Sequence, residues 1–101
     1  NLVSDMRSLV IMKENGCPIV YDASHSVQKP GANKGVSSGD SKFISPLAKA
    51  AVAIGIDALF IESHPDPSKA ISDGDNSMNI NELENLLKEI IDIDKTIRKG
   101  V

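Results

Sequence analysis

A strand-length apolar run, Ala58-Leu59-Phe60-Ile61, follows a helical stretch that Gly55 can end. A second run, Pro18-Ile19-Val20-Tyr21-Asp22, follows another helical stretch that Gly16 can end. Neither run alternates polar with apolar residues, as a strand with one wet face does. Each is therefore expected to be a strand covered on both faces, the habit of parallel sheets. This limits the fold more than any other feature of the chain.

Three helical stretches flank these runs. From about Leu2 to Asn15, the residues Leu2, Met6, Leu9, Val10 and the stem of Lys13 recur at roughly helical spacing. Ser4 or Asp5 can cap the start. Phe43 to Ile54 places Phe43, Leu47, Ala50, Ala51 and Ile54 on one face. Pro46 is tolerable there because it falls in the first turn. A long helix starts near Asn79, which with Glu82 has the spacing of a capping box. Its apolar side is expected to carry Ile80, Leu83, Leu86, Leu87, Ile90, Ile91 and Ile97. Ser24 to Ser41 is rich in Gly, Ser, Lys and Pro and is expected to hold no regular element.

The order helix, strand, helix, strand, helix implies an α/β fold with a parallel sheet and right-handed crossovers. Two parallel strands leave their faces bare, so further strands are expected from outside this chain. A (β/α)8 barrel takes about 250 residues. Residues 1–101 are accordingly read as the C-terminal segment of a single TIM-barrel domain whose N-terminal strands are absent from this chain. The start, Asn1-Leu2-Val3, enters directly on a helical pattern, as a piece of a longer chain would.

The net charge of −3 comes without a basic stripe, which argues against a nucleic-acid partner. No apolar run has the length to span a membrane, and no signal pattern opens the chain. A single cysteine excludes an internal disulfide. These features together give the expectation of a cytoplasmic protein. Aromatics are only 3%, so the core must rest on Ile, Leu, Val and Ala.

In parallel α/β folds the site lies at the C-terminal ends of the strands. Asp22, Ser24, His25 and Gln28 follow the first strand; Glu62, His64, Asp66 and Asp73 follow the second. Cys17 precedes its strand and is rejected as ligand or nucleophile. His25, Glu62 and Asp73 form a sensible set for one divalent cation, since imidazole with carboxylate suits Zn, Fe(II) or Mn. The bland alternative for His25 is a hydrogen-bonded structural imidazole, and for His64 an outer or turn-fixing one. Pro65, Pro67 and Gly74 read equally well as ordinary turn chemistry. That reading leaves Glu62 unexplained, because an unpaired carboxylate ending a buried strand is costly. The Gly- and Ser-rich stretch, with Ser37 and Ser38, is either a lid over a phosphorylated substrate or a solvated loop.

Three stretches carry a closer likeness: YDASHSVQKPG, PLAKAAVAIGIDALFIESHPDPSKAISDG and the Leu- and Glu-rich final helix. With NLVSDMRSLVIMKE, they resemble the C-terminal part of the 3-deoxy-D-manno-octulosonate 8-phosphate synthases across essentially the whole chain. The related 3-deoxy-D-arabino-heptulosonate 7-phosphate synthases share similar Asp-x-Ser-His, His-Pro-x-Pro and Ser-Asp-Gly elements. Ser26-Val27-Gln28 followed by a long Gly/Ser stretch points to the octulosonate branch.

The resemblance implies a TIM barrel, usually a homotetramer. It implies condensation of phosphoenolpyruvate with arabinose 5-phosphate and water, a step toward lipopolysaccharide. It also implies a metal held by His25, Glu62 and Asp73 with a Cys from the absent first strand, which Cys17 does not match. Ser72-Asp73-Gly74-Asp75 resembles the metal-dependent branch, whereas metal-free members tend to read Cys-Asp-Gly-Pro. By the same resemblance His25 touches metal and phosphoenolpyruvate. Gln28, Ser37 and Ser38 belong to a substrate lid, while His64 and Asp22 support the site from outside the ligand set. The missing part holds most groups for the substrate phosphates, so this chain alone is expected to be inactive. The alternatives are a heptulosonate synthase relative and a non-catalytic barrel fragment.

Overall fold

A computed structural model describes residues 5–33, 36–39, 41–66 and 77–99. Among these, helices α1 (Arg7–Glu14), α2 (Ile44–Ile54) and α3 (Ile80–Lys99) are separated by strands. The strands are β1 (Val20–Asp22), β2 (Gln28–Asn33), β3 (Val36–Gly39), β4 (Ala58–Phe60), β5 (Ser63–His64) and β6 (Met78–Asn79). β1 and β4 pair in parallel, Val20 opposite Ala58, Tyr21 opposite Leu59 and Asp22 opposite Phe60. The expected alternation is thus present as α1–β1–α2–β4–α3, the frame of a partial α/β barrel.

α1 and α2 keep their expected glycine stops but shift their starts, and α3 starts where Asn79 predicts. α1 begins at Arg7, later than the spacing predicts, and residues 1–4 lie outside the described residues. Asp5 holds the first turn, its Oδ1 accepting the Arg7 N–H at 3.0 Å and its carbonyl the Ser8 N–H at 3.0 Å. α2 buries Ile44, Ala48, Ala51 and Val52, while Phe43 stays exposed in a preceding 3₁₀ turn, Ser41–Phe43. The buried stripe is rotated from the predicted one, leaving Leu47 and Ile54 at its margin.

Gly55 ends α2 at φ 101°, a left-handed conformation that costs a residue with a Cβ about 1–2 kcal/mol. A Cβ there would stand 2.9 Å from Lys13 Nζ, which donates to the Ile54 carbonyl at 3.0 Å. A cation at a helix C-terminus satisfies a last carbonyl and complements the helix dipole.

In α3, Asn79 caps through Asn81, whose N–H reaches Asn79 Oδ1 at 2.8 Å. Leu86 is buried, and Leu83, Ile90 and Ile93 pack against the core. Ile80, Leu87, Ile91 and Ile97, expected on the apolar side, are exposed. Lys49 Nζ lies 2.5 Å from Glu89 Oε2 and links α2 to α3.

Two sheet expectations are corrected. β1 and β4 are covered on one face only. Tyr21 is buried toward the helices, whereas Val20 is 63% and Phe60 46% exposed on the other side. Covering both faces takes a second packed layer, and the described residues supply one. Ser24–Ser41 is not elementless either. After a 3₁₀ turn at His25–Val27, β2 and β3 pair antiparallel, with Gln28 opposite Gly39, Lys29 opposite Ser38 and Asn33 opposite Val36. A hairpin ladder is made of backbone bonds and forms without apolar alternation. Pro30, which has no N–H, falls where the register is irregular between Lys29 and Asn33. A short parallel bridge, Ser63 opposite Met78 and His64 opposite Asn79, was also unforeseen, being too short to show a period.

Candidate active site at the strand ends

The open face of the sheet leads to the site. Alternate residues of a strand share a face, so Val20 and Asp22 of β1 stand beside Ala58 and Phe60 of β4. Beyond Asp22 the chain turns sharply, and the Asp22 carboxylate directs the turn. Its Oδ1 accepts the N–H groups of Ser24 at 3.0 Å and His25 at 2.8 Å. Its Oδ2 lies 2.6 Å from His25 Nδ1, and Ser26 Oγ donates to the Asp22 carbonyl. A carboxylate only accepts, so His25 donates from Nδ1, and in the neutral ring the lone pair is then on Nε2.

His25 Nε2 faces Glu62 Oε1 at 3.7 Å, and both side chains are about one-third exposed, 36% and 31%. The Phe60 ring lies 5.9 Å from the imidazole, centroid to centroid, at 30°. A nitrogen lone pair opposite a carboxylate oxygen offers two donors to a proton or a cation placed between them. The pair is an N,O donor set of the type that suits Zn, Fe(II) or Mn, so the described part of the predicted ligand set fits such an ion. No group of three or more His, Cys, Asp or Glu gathers for a metal among the described residues. Asp73 lies outside them.

The other predicted residues are placed as follows. His64 Nδ1 accepts the Asp66 N–H at 2.9 Å and fixes the turn after β5. The turn is also tied to α3 by Asn79 Nδ2, which donates to the Pro65 carbonyl at 3.4 Å. Gln28 opens β2, directly after the His25–Val27 turn, and Ser37 and Ser38 lie on β3 of the same hairpin. Cys17 is exposed at the opposite end, in a groove of about 260 Å³ with Lys13, Pro18 and Asp57.

Residues 1–99 match the sequence profile described as the DAHP synthetase I family, a match that runs from α1 through α3. This chain belongs to the DAHP synthetase I family. As a member of that family it is similar to the 2-dehydro-3-deoxyphosphooctonate aldolase of Legionella pneumophila, 60% identical over 99 residues. It is 52% identical over the same length to the protein of that name from Xanthomonas campestris. Each alignment takes in 98% of this chain but 36% of the relative, so the chain spans little more than a third of their length.

Among solved structures it resembles the Thermotoga maritima phospho-2-dehydro-3-deoxyheptonate aldolase. The TM-score is 0.78 at 29% identity, over 94% of this chain and 25% of that one. A truncated 3-deoxy-D-arabino-heptulosonate 7-phosphate synthase from the same organism gives 0.76 at 30% identity, over 92% and 32%.

Two residues beside the pair were not foreseen as part of the site of this family member. Phe60 was read as strand core, and its ring instead flanks His25. Ser24 was noted only as polar; it is fully buried, and its Oγ accepts the Glu62 N–H at 2.7 Å. The available signal was a small hydroxyl residue between Asp22 and His25, where the apolar run has ended.

Proposed function

We propose that this chain forms part of a carbon–carbon bond-forming synthase that condenses phosphoenolpyruvate with D-arabinose 5-phosphate and water. The products are 3-deoxy-D-manno-octulosonate 8-phosphate, a lipopolysaccharide precursor, and inorganic phosphate. The observation that carries the reading is the 60% identity over 98% of the chain to the aldolase named for a phosphooctonate. The strand-end cluster of Asp22, His25 and Glu62 supports it, because that is where barrel enzymes keep their chemistry.

In the proposed reaction the methylene carbon of the enolpyruvate attacks the sugar aldehyde and forms the new C–C bond. Water adds to the neighbouring carbon, whose C–O bond to phosphate then breaks, releasing phosphate. His25 and Glu62, with Asp73, would hold a divalent cation, Zn, Fe or Mn, which when bound supplies positive charge to polarise substrate oxygens. Asp22 keeps the His25 Nε2 lone pair turned into the site. His25 also contacts phosphoenolpyruvate. Gln28, Ser37 and Ser38, on the turn and hairpin that follow His25, close over the substrate and exclude bulk water.

The rest of the barrel supplies the remaining strands, and the working form is a cytoplasmic homotetramer. This segment alone is inactive. No helix among the described residues is long and apolar enough to cross a membrane. The test is turnover by a full-length barrel carrying this sequence, with arabinose 5-phosphate against erythrose 4-phosphate. Faster turnover with arabinose 5-phosphate is expected. Faster turnover with erythrose 4-phosphate transfers the chain to the heptulosonate branch.

A further inference from the structure

The parallel ladder between β1 and β4 does not fade out; side chains continue it. Its last regular bond is the Ala23 N–H to the Phe60 carbonyl at 3.0 Å. In a parallel pair the next two bonds would run from the Glu62 N–H to the Ala23 carbonyl and from the His25 N–H to the Glu62 carbonyl. Neither is made as such. Ser24 Oγ accepts the Glu62 N–H at 2.7 Å, and Asp22 Oδ1 accepts the His25 N–H at 2.8 Å. The Glu62 carbonyl accepts the Met78 N–H at 2.9 Å. Two side chains therefore stand in for main-chain acceptors at the step where the strands part.

We infer that Ser24 is a positioning residue for Glu62. Its hydroxyl anchors the Glu62 backbone to the β1 turn, and from that anchor the carboxylate reaches His25 at 3.7 Å. Ser24 is held on both sides. It is fully buried, and its own N–H is bound by the carboxylate that orients His25. One short segment, Asp22 to His25, thus sets the imidazole directly and Glu62 through Ser24. The bond to Glu62 closes a gap of 38 residues in sequence. A shift of the Glu62 backbone changes the His25–Glu62 separation without altering either side chain. This rests on the proposed reading of His25 and Glu62 as a cation-holding pair.

The experiment uses a full-length barrel carrying this sequence, with Ser24→Ala, Ser24→Thr and Ser24→Val variants. Thr keeps the oxygen and adds a methyl, whereas Val has the same shape without the oxygen. Two properties are read. One is hydrogen exchange at the peptide containing Glu62; the other is affinity and visible absorption for Co²⁺ added to metal-stripped protein.

Ala and Val are expected to speed exchange at Glu62, weaken Co²⁺ binding about 10–100-fold and alter its spectrum. Thr is expected to keep exchange, affinity and spectrum near wild type. Unchanged exchange in Ser24→Val overturns the anchor. Faster exchange with unchanged Co²⁺ affinity and spectrum makes Ser24 merely structural and overturns its positioning role. So does a Val variant that fails to fold where Thr folds. If wild type shows no Co²⁺ signal that His25→Ala abolishes, the metal reading falls, and exchange in the Thr and Val variants still decides the anchor.

Discussion

Asp57 and Asp22 stand at opposite ends of the same parallel pair, and they use their carboxylates differently. At the N-terminal end, Asp57 engages Ile19. Asp57 Oδ2 accepts the Ile19 N–H at 2.8 Å, and the Ile19 carbonyl accepts the N–H groups of Asp57 at 3.0 Å and Ala58 at 3.1 Å. At the C-terminal end, Asp22 gives one oxygen to two backbone N–H groups and the other to an imidazole. The first arrangement only joins chain to chain. The second joins chain to chain and also fixes the orientation of a side chain that faces a second carboxylate. Strand ends of one sheet thus carry the same residue type for joining the strands at one end and for orienting an imidazole at the other; barrels divide their two faces into stability and chemistry in the same sense.

This division can be broken most sharply at His25. In a full-length barrel, His25→Ala is expected to lower kcat/KM by more than about 100-fold, above the ~10–100-fold that outer contacts cost. Its urea midpoint should stay close to wild type. Activity within a few-fold of wild type would remove the chemistry from this end. Next, Asp22→Asn keeps an oxygen for the turn but can offer the ring an amide in place of a carboxylate. Steady-state kinetics should show a loss of roughly 10–100-fold, mainly in kcat, with little change in stability.

Asp57→Ala should do the reverse. Denaturant unfolding is expected to show a loss of about 1–3 kcal/mol, because the buried Ile19 N–H is left without its acceptor. Activity per folded molecule should be unchanged. A larger activity loss from Asp57→Ala than from Asp22→Asn would reverse the assignment of the two ends.

The smallest effect is expected at Asp5, which shows what a carboxylate is worth away from either end. The Arg7 guanidinium, with help from the Arg7 N–H, holds the Asp5 carboxyl below its usual 3.8. A lowered folded-state value stabilises the fold above the ordinary carboxylate range, and that contribution is lost as pH falls through the lowered value. The pair is fully exposed and screened by solvent. Asp5→Asn should therefore flatten the acid limb of a stability–pH profile only slightly. A pronounced change in that limb would show Asp5 to be tied to more than Arg7.

The elements that could be read ahead are those with local causes. Gly16 and Gly55 end helices where the chain needs positive φ, 76° and 101°. The apolar runs around Tyr21 and Leu59 pair in parallel as expected. His25 and Glu62 could be assigned to one end because strand direction fixes which loops meet. The hairpin at Gln28–Gly39 was not legible, since backbone pairing leaves little trace in a polar, glycine-rich sequence. The buried stripe of α2 was misplaced because Phe43 looks like core and in fact precedes the helix. Asp73, a predicted ligand, falls outside the described residues.

By itself the sequence determined the alternation of the three helices with β1 and β4, the direction of that pair and the end at which polar groups collect. These follow from spacing, glycine stops and the rule that parallel strands share their C-terminal edge. Only the tertiary structure decided which sheet face the helices cover, that Asp22 takes the Nδ1 side of His25, and that Ser24 Oγ accepts the Glu62 N–H. The physical reason is distance along the chain. Burial of a strand face depends on a layer that the strand does not encode. A hydrogen bond between Ser24 and a backbone N–H 38 residues away exists only once β1 and β4 lie side by side.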